Sequence, residues 1–437
     1  MSIEWITLLM FGGLVLLLAM GLPLAFATGL IGVGFTAGLF GMDGLQLVAS
    51  RIYSFMNEYA LVSVPMFVMM ASILERSGVA RDLFDAMRVW AGSMAGGLGI
   101  QTMVVATLMG AMTGIIGGEI VLLGLLALPQ MLRLGYDRKL AIGTICAGGS
   151  LGTMIPPSIV LVIYGLTVNV SIGDLFTANL VPGLVLSGAY MAYIAVRCAL
   201  NPALGPPAPR EERTLPLRRK LALLKGLLLP LLVVGSVLGT IYAGWASVTE
   251  AAGMGVAGTL LAAALRGELR WATLRESCRQ TLSTCGMLLW LSFGATAMIG
   301  VYNLAGGPGF VKDLITGLPL PPLGQVAVMM AILLVLGCIM DWVGICLLTM
   351  PIFVPIVTAM GYDPVWFGVL FCLNMQVSYL SPPFGPAAFY LKGVAPEDVS
   401  LNEIFSAVWP FIGLQLVVLA VVMLLPGVAL WLPGLKG

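Results

Sequence analysis

Histidine is absent from the 437-residue sequence, and charged residues make up only 9% of it. Soluble domains carry about 25% charged residues, whereas 59% of this chain is hydrophobic. A set of soluble domains is therefore excluded, and the composition predicts a polytopic integral membrane protein. The missing histidine also removes the commonest proton relay and general base. The net charge of +1 offers no basic surface for nucleic acid.

Cysteine is scarce, and the seven cysteines stand mostly in apolar runs without a CxxC pair. Without histidine they do not predict a zinc site, and buried packing is the simpler interpretation. No Walker motif is present, so we do not expect ATP to drive this chain directly. An intramembrane enzyme would need a histidine, a Ser–Lys pair or paired acids. Glu119 and Asp341 could form such an acid pair, but nothing else in the sequence assembles an active site, and we expect no enzyme activity.

One polar segment interrupts the apolar runs that are long enough for membrane spans. Residues 201–220 read NPALGPPAPREERTLPLRRK, which is rich in proline and arginine. Because cytoplasmic loops carry an excess of Lys and Arg, we predict that this segment is a cytoplasmic linker. It divides the chain into residues 1–200 and 221–437.

The two halves resemble each other at one constant offset. Pro156-Pro157 recurs as Pro382-Pro383, so the offset is 382 − 156 = 226, and the tripeptide GYD recurs at 135–137 and 361–363. Chance apolar similarity would not keep Pro, Tyr and Asp in one register, which predicts an internal duplication. Duplicated membrane proteins are usually transporters, and their repeats often have opposite topologies. We expect the two GYD aspartates, Asp137 and Asp363, to cap the helices that follow.

Each proline pair stands inside an apolar run and predicts an interrupted helix, at about 139–165 and 365–391. Proline removes a backbone donor and clashes with the preceding turn. Bare carbonyls at membrane depth are tolerated only against protein or a watery cavity, and they are good ligands for sodium. The N-terminus of the second half-helix would in turn attract an anion. The alternative is a pair of structural kinks.

A punctuated apolar segment precedes each interrupted helix, at about 110–129 and 336–355. Each contains glycine, threonine and one carboxylate, Glu119 or Asp341. We predict a re-entrant hairpin in each segment, with the carboxylate near its tip. Intramembrane carboxylates are usually functional, and either one could neutralise a cation or cap the hairpin. Residues 73–85 form an amphipathic connector, which we interpret as an interfacial helix outside the site.

Six motifs together resemble the large membrane subunit of a tripartite ATP-independent periplasmic (TRAP) transporter. They are GTMIPPSIVLVIYG, SIGDLFTANLVPG, VPMFVMMASILERSGVA, LPQMLRLGYDRKLA, GCIMDWVGICLLTMPIFVPI and SPPFGPAAFYLKG. The resemblance covers nearly the whole chain. It implies an all-α protein of the ion transporter superfamily, with two inverted repeats, re-entrant hairpins and broken helices in an elevator-type scaffold and transport domain.

The resemblance also implies function and partners. Such a protein lies in the bacterial inner membrane and imports an organic acid anion together with sodium as the coupling ion. It works with a small four-helix membrane subunit and with a periplasmic binding protein that delivers the substrate. The alternative that the carboxylates leave open is a proton-coupled transporter or a passive anion channel or exchanger.

The residues implied by the resemblance fall into two sodium clamps and one substrate site. The first clamp would use Thr113, Gly117, Gly118, Gly149, Ser150, Thr153 and Pro156, with a charge role for Glu119. The second would use Asp341, Gly344, Asn374, Ser378, Ser381 and Pro382. The substrate would meet Pro157, Ser158, Pro383 and Phe384. Two departures are the serine-poor first hairpin tip, Gly117-Gly118-Glu119, and the lack of arginine in both broken helices.

Overall fold

The computed structural model describes residues 1–88, 94–114, 117–207, 225–383 and 385–435, and these residues contain helices and no strand. Six helical segments within those ranges are long and apolar enough to cross a membrane, the longest being Trp271–Leu304. The prediction of an all-α polytopic membrane protein is confirmed. Phe384 and residues 208–220 of the predicted linker lie outside the described residues.

The α-helices of the described ranges are numbered in chain order. In the first half they are α1 (Ile3–Ala19), α2 (Leu24–Phe40), α3 (Leu45–Met56), α4 (Ser63–Arg76), α5 (Val79–Arg88), α6 (Gly97–Thr113), α7 (Gly118–Leu126), α8 (Leu128–Arg133), α9 (Arg138–Ser150), α10 (Ile159–Val168) and α11 (Ile172–Leu200). In the second half they are α12 (Lys225–Tyr242), α13 (Val248–Leu265), α14 (Trp271–Leu304), α15 (Gly307–Thr316), α16 (Pro322–Gly337), α17 (Trp342–Ala359), α18 (Pro364–Leu380), α19 (Pro386–Lys392), α20 (Leu401–Leu424) and α21 (Gly427–Leu430).

The 226-residue offset of the sequence is also an offset between helices. Helix α9 begins at Arg138 and α18 at Pro364, so their starts differ by 364 − 138 = 226. Both helices end shortly before a proline pair whose peptide bond is cis, and α10 and α19 follow the two pairs. Each half thus contains an interrupted helix, α9–α10 and α18–α19.

A helical hairpin precedes each interrupted helix. Helices α6 and α7 form the first hairpin, and α16 and α17 form the second. The first arms start at Gly97 and Pro322, upstream of the predicted segments at 110–129 and 336–355. Apolar periodicity did not separate these arms from ordinary spans, because only glycine and carboxylate residues near the tips mark the reversal.

Polar side chains set where several helices begin. Asp137 accepts from the Leu140 amide at 2.9 Å, and Asp363 accepts from the Val365 amide at 2.7 Å. Both GYD aspartates therefore cap the following helix, as predicted. The start of the predicted linker folds back on this region, because the Asp137 amide donates to the Leu204 carbonyl at 2.9 Å.

The two halves interlock and do not pack as separate bundles. Helix α9 packs against α20, α10 against α17 and α11 against α18. At the start of α9, Arg138 forms ion pairs with Asp398 at 2.6 Å and Glu403 at 3.0 Å, across the sequence midpoint. Each interrupted helix is therefore packed against helices of the other half.

The long helix α14 packs closely against α2 through glycine. At Gly294, an added Cβ would overlap the Ala25 carbonyl oxygen and the Thr28 hydroxyl, both of which lie on α2. Small residues allow such close approach of helix backbones in membranes. On the same helix, an added Cβ at Gly286 meets nothing within 4 Å.

We expect Gly294→Ala to destabilise the protein and Gly286→Ala to leave it unchanged or slightly more stable. Overpacking of a close contact costs about 1–3 kcal/mol, whereas alanine is favoured over glycine by about 1 kcal/mol within a helix. Thermal unfolding of the two purified variants compares them directly. Equal midpoints would show that the α2–α14 contact is looser than described.

Candidate functional site

The two hairpin tips face a common cavity of about 870 Å³. The first tip contributes Gly117 and Gly118, and the second contributes Met340 and Asp341. Thr153 and Tyr379, from the ends of the two first half-helices, complete this side, and a face of α14 forms the opposite wall. Among the described residues in its wall, Asp341 is the one that carries a formal charge.

A much smaller cavity of about 20 Å³ adjoins the second hairpin tip. It is lined by Asp341 and Ser378 together with Gly337, Met340 and Tyr379. A cavity of this volume holds about one water molecule or one small ion. Asp341 caps α17 by accepting from the Val343 amide at 3.0 Å. Of the two roles predicted for Asp341, helix capping is therefore observed, and neutralising a cation in the small cavity stays a prediction.

The other residues predicted for the second clamp divide into two groups. The Asn374 amide donates to the Met330 carbonyl at 2.8 Å, and its own buried oxygen has no partner. Ser378 donates to the Asn374 carbonyl at 3.3 Å, so these two residues lie together beneath the small cavity. Gly344, by contrast, packs against Leu24 of α2, and Ser381 donates to the Val377 carbonyl at 2.7 Å. Pro382 is half-buried.

The first hairpin tip holds a fully buried carboxylate. The Thr113 hydroxyl donates to Glu119 Oε1, while Glu119 Oε2 is buried and has no partner. The tip needs glycine because Gly114 and Gly117 have φ values of +58° and +109°, which disfavour residues with a Cβ. Ile115 and Ile116 lie outside the described residues. Glu119 lies against Gly152, beyond the end of α9, so its carboxylate joins the hairpin to the interrupted helix.

Two carbonyls of the first helix interruption already have side-chain partners. Ser158 donates to the Thr153 carbonyl at 2.6 Å, and Asn179 of α11 donates to the Met154 carbonyl at 2.6 Å. The Ser150 hydroxyl donates to the Ala147 carbonyl at 2.8 Å, and Gly149 packs against Ile120. Of the residues predicted for this clamp, Gly117, Gly118 and Thr153 line the large cavity, whereas Gly149, Ser150 and Pro156 are buried and are not among its lining residues.

The predicted substrate residues are not gathered at the cavity wall. Pro157 and Ser158 are buried, and the Pro157 carbonyl packs under Gly114 of the first hairpin tip. Pro383 is exposed but is not among the cavity-lining residues, and Phe384 lies outside the described residues. The wall is formed instead by the neighbouring Ile159 and Pro386. The reason is steric, because the hairpin tip covers the first proline pair.

One link across the repeats was not foreseen. Gln376 Nε2 donates to the Thr153 hydroxyl, and the buried oxygen of the Gln376 amide has no partner. The two side chains come from the two interrupted helices. This hydrogen bond therefore couples the first clamp region to the second.

Glu75 of α4 was also missed by the sequence interpretation. Its carboxylate lies against Gly118 at the start of α7, although residues 73–85 were expected to lie outside the site. Next to it, Arg76 donates to Gln280 of α14 at 2.7 Å, and Ser72 donates to the same oxygen at 3.1 Å. A carboxylate at the end of the apolar run SVPMFVMMASIL was the available signal.

The comparison with known families bears on this arrangement. Residues 11–428 match the family model described as "Tripartite ATP-independent periplasmic transporter, DctM component". The chain belongs to this TRAP family. It is similar to the C4-dicarboxylate TRAP transporter large permease protein DctM of Pseudomonas aeruginosa, with 32% identity over 91% of this chain and 92% of that protein. It is 28% identical to the sialic acid TRAP transporter large permease protein SiaM of Vibrio cholerae, over 97% of each chain.

A solved structure shows the same fold at low sequence similarity. The YdaH transporter of Alcanivorax borkumensis, described as having an unusual topology, aligns with a TM-score of 0.69 and 13% identity. The alignment covers 94% of this chain and 97% of that one. The TRAP protein described here is thus a multi-pass membrane permease subunit, and its relatives are named as transport components and not as enzymes.

We expect Thr113→Val to destabilise this TRAP subunit more than Thr349→Val. Both threonines are buried and donate to the carbonyl four residues earlier, but only Thr113 also donates to a buried carboxylate. Leaving a buried acceptor without its donor costs about 1–3 kcal/mol. Thermal midpoints of the two variants test this difference. Equal losses would mean that Glu119 finds a replacement partner.

Proposed function

We propose that this subunit imports an organic acid anion coupled to sodium entry. The observation that carries the proposal is the small cavity at the second hairpin tip, where the Asp341 carboxylate and the Ser378 hydroxyl meet. Asp341 is half-buried among mostly apolar side chains, where a carboxylate charge is unfavourable unless a counter-charge is present. Sodium is small, prefers oxygen ligands and fits a cavity of this size.

The donor atoms around the small cavity support a hard cation. Ser378 and Asp341 offer oxygens directly, and the buried Tyr379 hydroxyl has no protein partner. No group of three or more His, Cys, Asp or Glu side chains occurs in the described ranges, so a transition metal has little support. Glu119, with one unpartnered oxygen, is the corresponding candidate for a cation at the first hairpin tip.

The transport cycle we propose is an elevator movement of two inverted repeats. The hairpins and interrupted helices would cross the membrane against a scaffold that includes α2 and α14, which pack closely through glycine. A periplasmic binding protein would deliver the substrate, and a small four-helix membrane subunit would complete the assembly in the bacterial inner membrane. The family name and the substrates named for the relatives, a C4-dicarboxylate and sialic acid, support an organic acid as cargo.

A proton-coupled or passive anion pathway is the second candidate function. Glu119 is fully buried, and a buried carboxylate can exchange a proton instead of holding sodium. The two candidates differ in one measurable property, because only sodium coupling requires a specific sodium site in the folded protein.

The decisive experiment is thermal unfolding in sodium or choline at fixed ionic strength. We expect a saturable rise in the midpoint that is specific for sodium, because a ligand that binds only the folded state stabilises it by about 2.7 kcal/mol at 100 times its Kd. Asp341→Asn and Ser378→Ala should each reduce the rise. Asp363→Asn is the matched control, since both aspartates cap a helix and asparagine caps equally well, but Asp363 is exposed and distant from the small cavity.

The outcomes separate the two candidate functions. A sodium-specific shift that is lost in Asp341→Asn and kept in Asp363→Asn would support coupling at the second hairpin tip. The absence of any sodium-specific shift in the wild type would contradict sodium coupling and favour the proton-coupled or passive pathway.

A further inference from the structure

The residues of α14 that line the large cavity are polar at one end of the helix segment and apolar at the other. Gln280, Thr284, Met287 and Leu291 line the cavity at spacings of four, three and four residues, which places them on one face of the helix. The twelve residues from Gln280 to Leu291 span about 16 Å, because eleven helical steps separate them and each rises about 1.5 Å. The polar pair and the apolar residues are therefore separated along the length of the cavity.

The apolar end is built for a bulky nonpolar group. Met287 and Trp290 of α14 line it, and Trp342 follows Asp341 in the opposite wall. Aromatic side chains and methionine provide large, adaptable contact surfaces for rings and alkyl chains. Trp290 and Phe26, whose ring centroids lie 5.9 Å apart, are 59% and 58% exposed.

The hydrogen-bond donors that face the cavity are neutral. Tyr379 is only 6% exposed, its hydroxyl has no partner, and it lines the cavity. An unpartnered buried hydroxyl loses the hydrogen bonds it had in water, so a ligand that accepts from it gains affinity. The positive charge of Arg76 lies behind the wall, where it is bound to Gln280 and next to Glu75.

The Asp341 carboxylate in the wall discriminates by charge. It disfavours each anionic group that enters, and charges interact strongly in a site that excludes water. One sodium ion balances Asp341 and leaves no counter-ion for the substrate, so a monocarboxylate brings one uncompensated negative charge into the cavity and a dicarboxylate brings two. A single carboxylate can be accommodated by neutral donors, whereas two require a cation that the described wall does not provide.

We propose that the cavity accepts an organic acid with a single carboxylate and an apolar body of at least ring size. Its carboxylate accepts from the Tyr379 hydroxyl, and its apolar body lies against Met287, Trp290 and Trp342. This inference rests on the proposed transport function and names its substrate class. An apolar chain with one anionic head could also come from a bilayer lipid, and the test separates these two sources.

The test uses the full chain, purified in detergent and in nanodiscs of phosphatidylcholine, and titrated in sodium buffer with 3-phenylpropionate, propionate or succinate. Thermal unfolding reports binding. We expect 3-phenylpropionate to raise the midpoint saturably in both preparations, at a concentration at least tenfold lower than succinate or propionate requires. A shift in detergent that disappears in nanodiscs would mean that lipid occupies the cavity, and this would overturn the proposal.

Three variants locate the binding. Tyr379→Phe removes only the hydroxyl and should weaken 3-phenylpropionate binding about tenfold, which is the size expected for one lost hydrogen bond. Trp290→Ala should weaken it by a similar factor. Trp245→Ala is the control, because Trp245 is 83% exposed and is not among the cavity-lining residues. A cooperative unfolding transition of each variant, measured without organic acid, reports whether the variant is folded.

The proposal is overturned if succinate binds as tightly as 3-phenylpropionate, if neither binds, or if both cavity variants bind like Trp245→Ala. The sodium titration without organic acid tests sodium coupling separately from the substrate class. If sodium raises the midpoint specifically and succinate binds tightly, the proposed monocarboxylate substrate is wrong, while the proposed sodium coupling is still supported. Tight 3-phenylpropionate binding without any sodium effect would keep the substrate class and remove the coupling.

Discussion

Every interruption of a helix inside a membrane exposes backbone groups that water cannot reach, and the structure depends on how these groups are satisfied. At the first interruption, Ser158 and Asn179 donate to the carbonyls of Thr153 and Met154. These contacts satisfy two of the backbone acceptors next to the proline pair. The Asn179 contact also binds the interruption to α11.

The second helix interruption occurs at the same place in its repeat as the first, but its side chains differ. At the 226-residue offset, Ser150 corresponds to Gln376 and Thr153 corresponds to Tyr379. Gln376 of the second copy donates to the Thr153 hydroxyl, and Tyr379 lines the cavity with its hydroxyl buried and without a partner. Duplication thus supplied two similar backbones, and the divergence of a few side chains made their polar surroundings unequal. This asymmetry is why the second hairpin tip is the stronger candidate for a coupling ion.

The carboxylates show the same divergence. Glu119 is buried between the first hairpin and the end of α9, whereas Asp341 caps α17 and faces two cavities. The position equivalent to Glu119 in the second half is Ile345, since 119 + 226 = 345. The two acids are therefore not repeat partners, although both stand near a hairpin tip. The two carboxylates stand in similar apolar, glycine-containing sequences, and these sequences do not reveal that one is fully buried and the other lines a cavity.

The sequence by itself determined the membrane class, the duplication, the interrupted helices and the capping by Asp137 and Asp363. These features depend on composition and on short-range geometry, which proline, glycine and aspartate impose within a few residues. Only the tertiary structure decided which residues line the cavity. Burial of Pro157 and Ser158 under Gly114, and the approach of Glu75 to Gly118, depend on packing between segments far apart in the chain. Local patterns carry no information about such contacts, because they arise from how whole helices fit together.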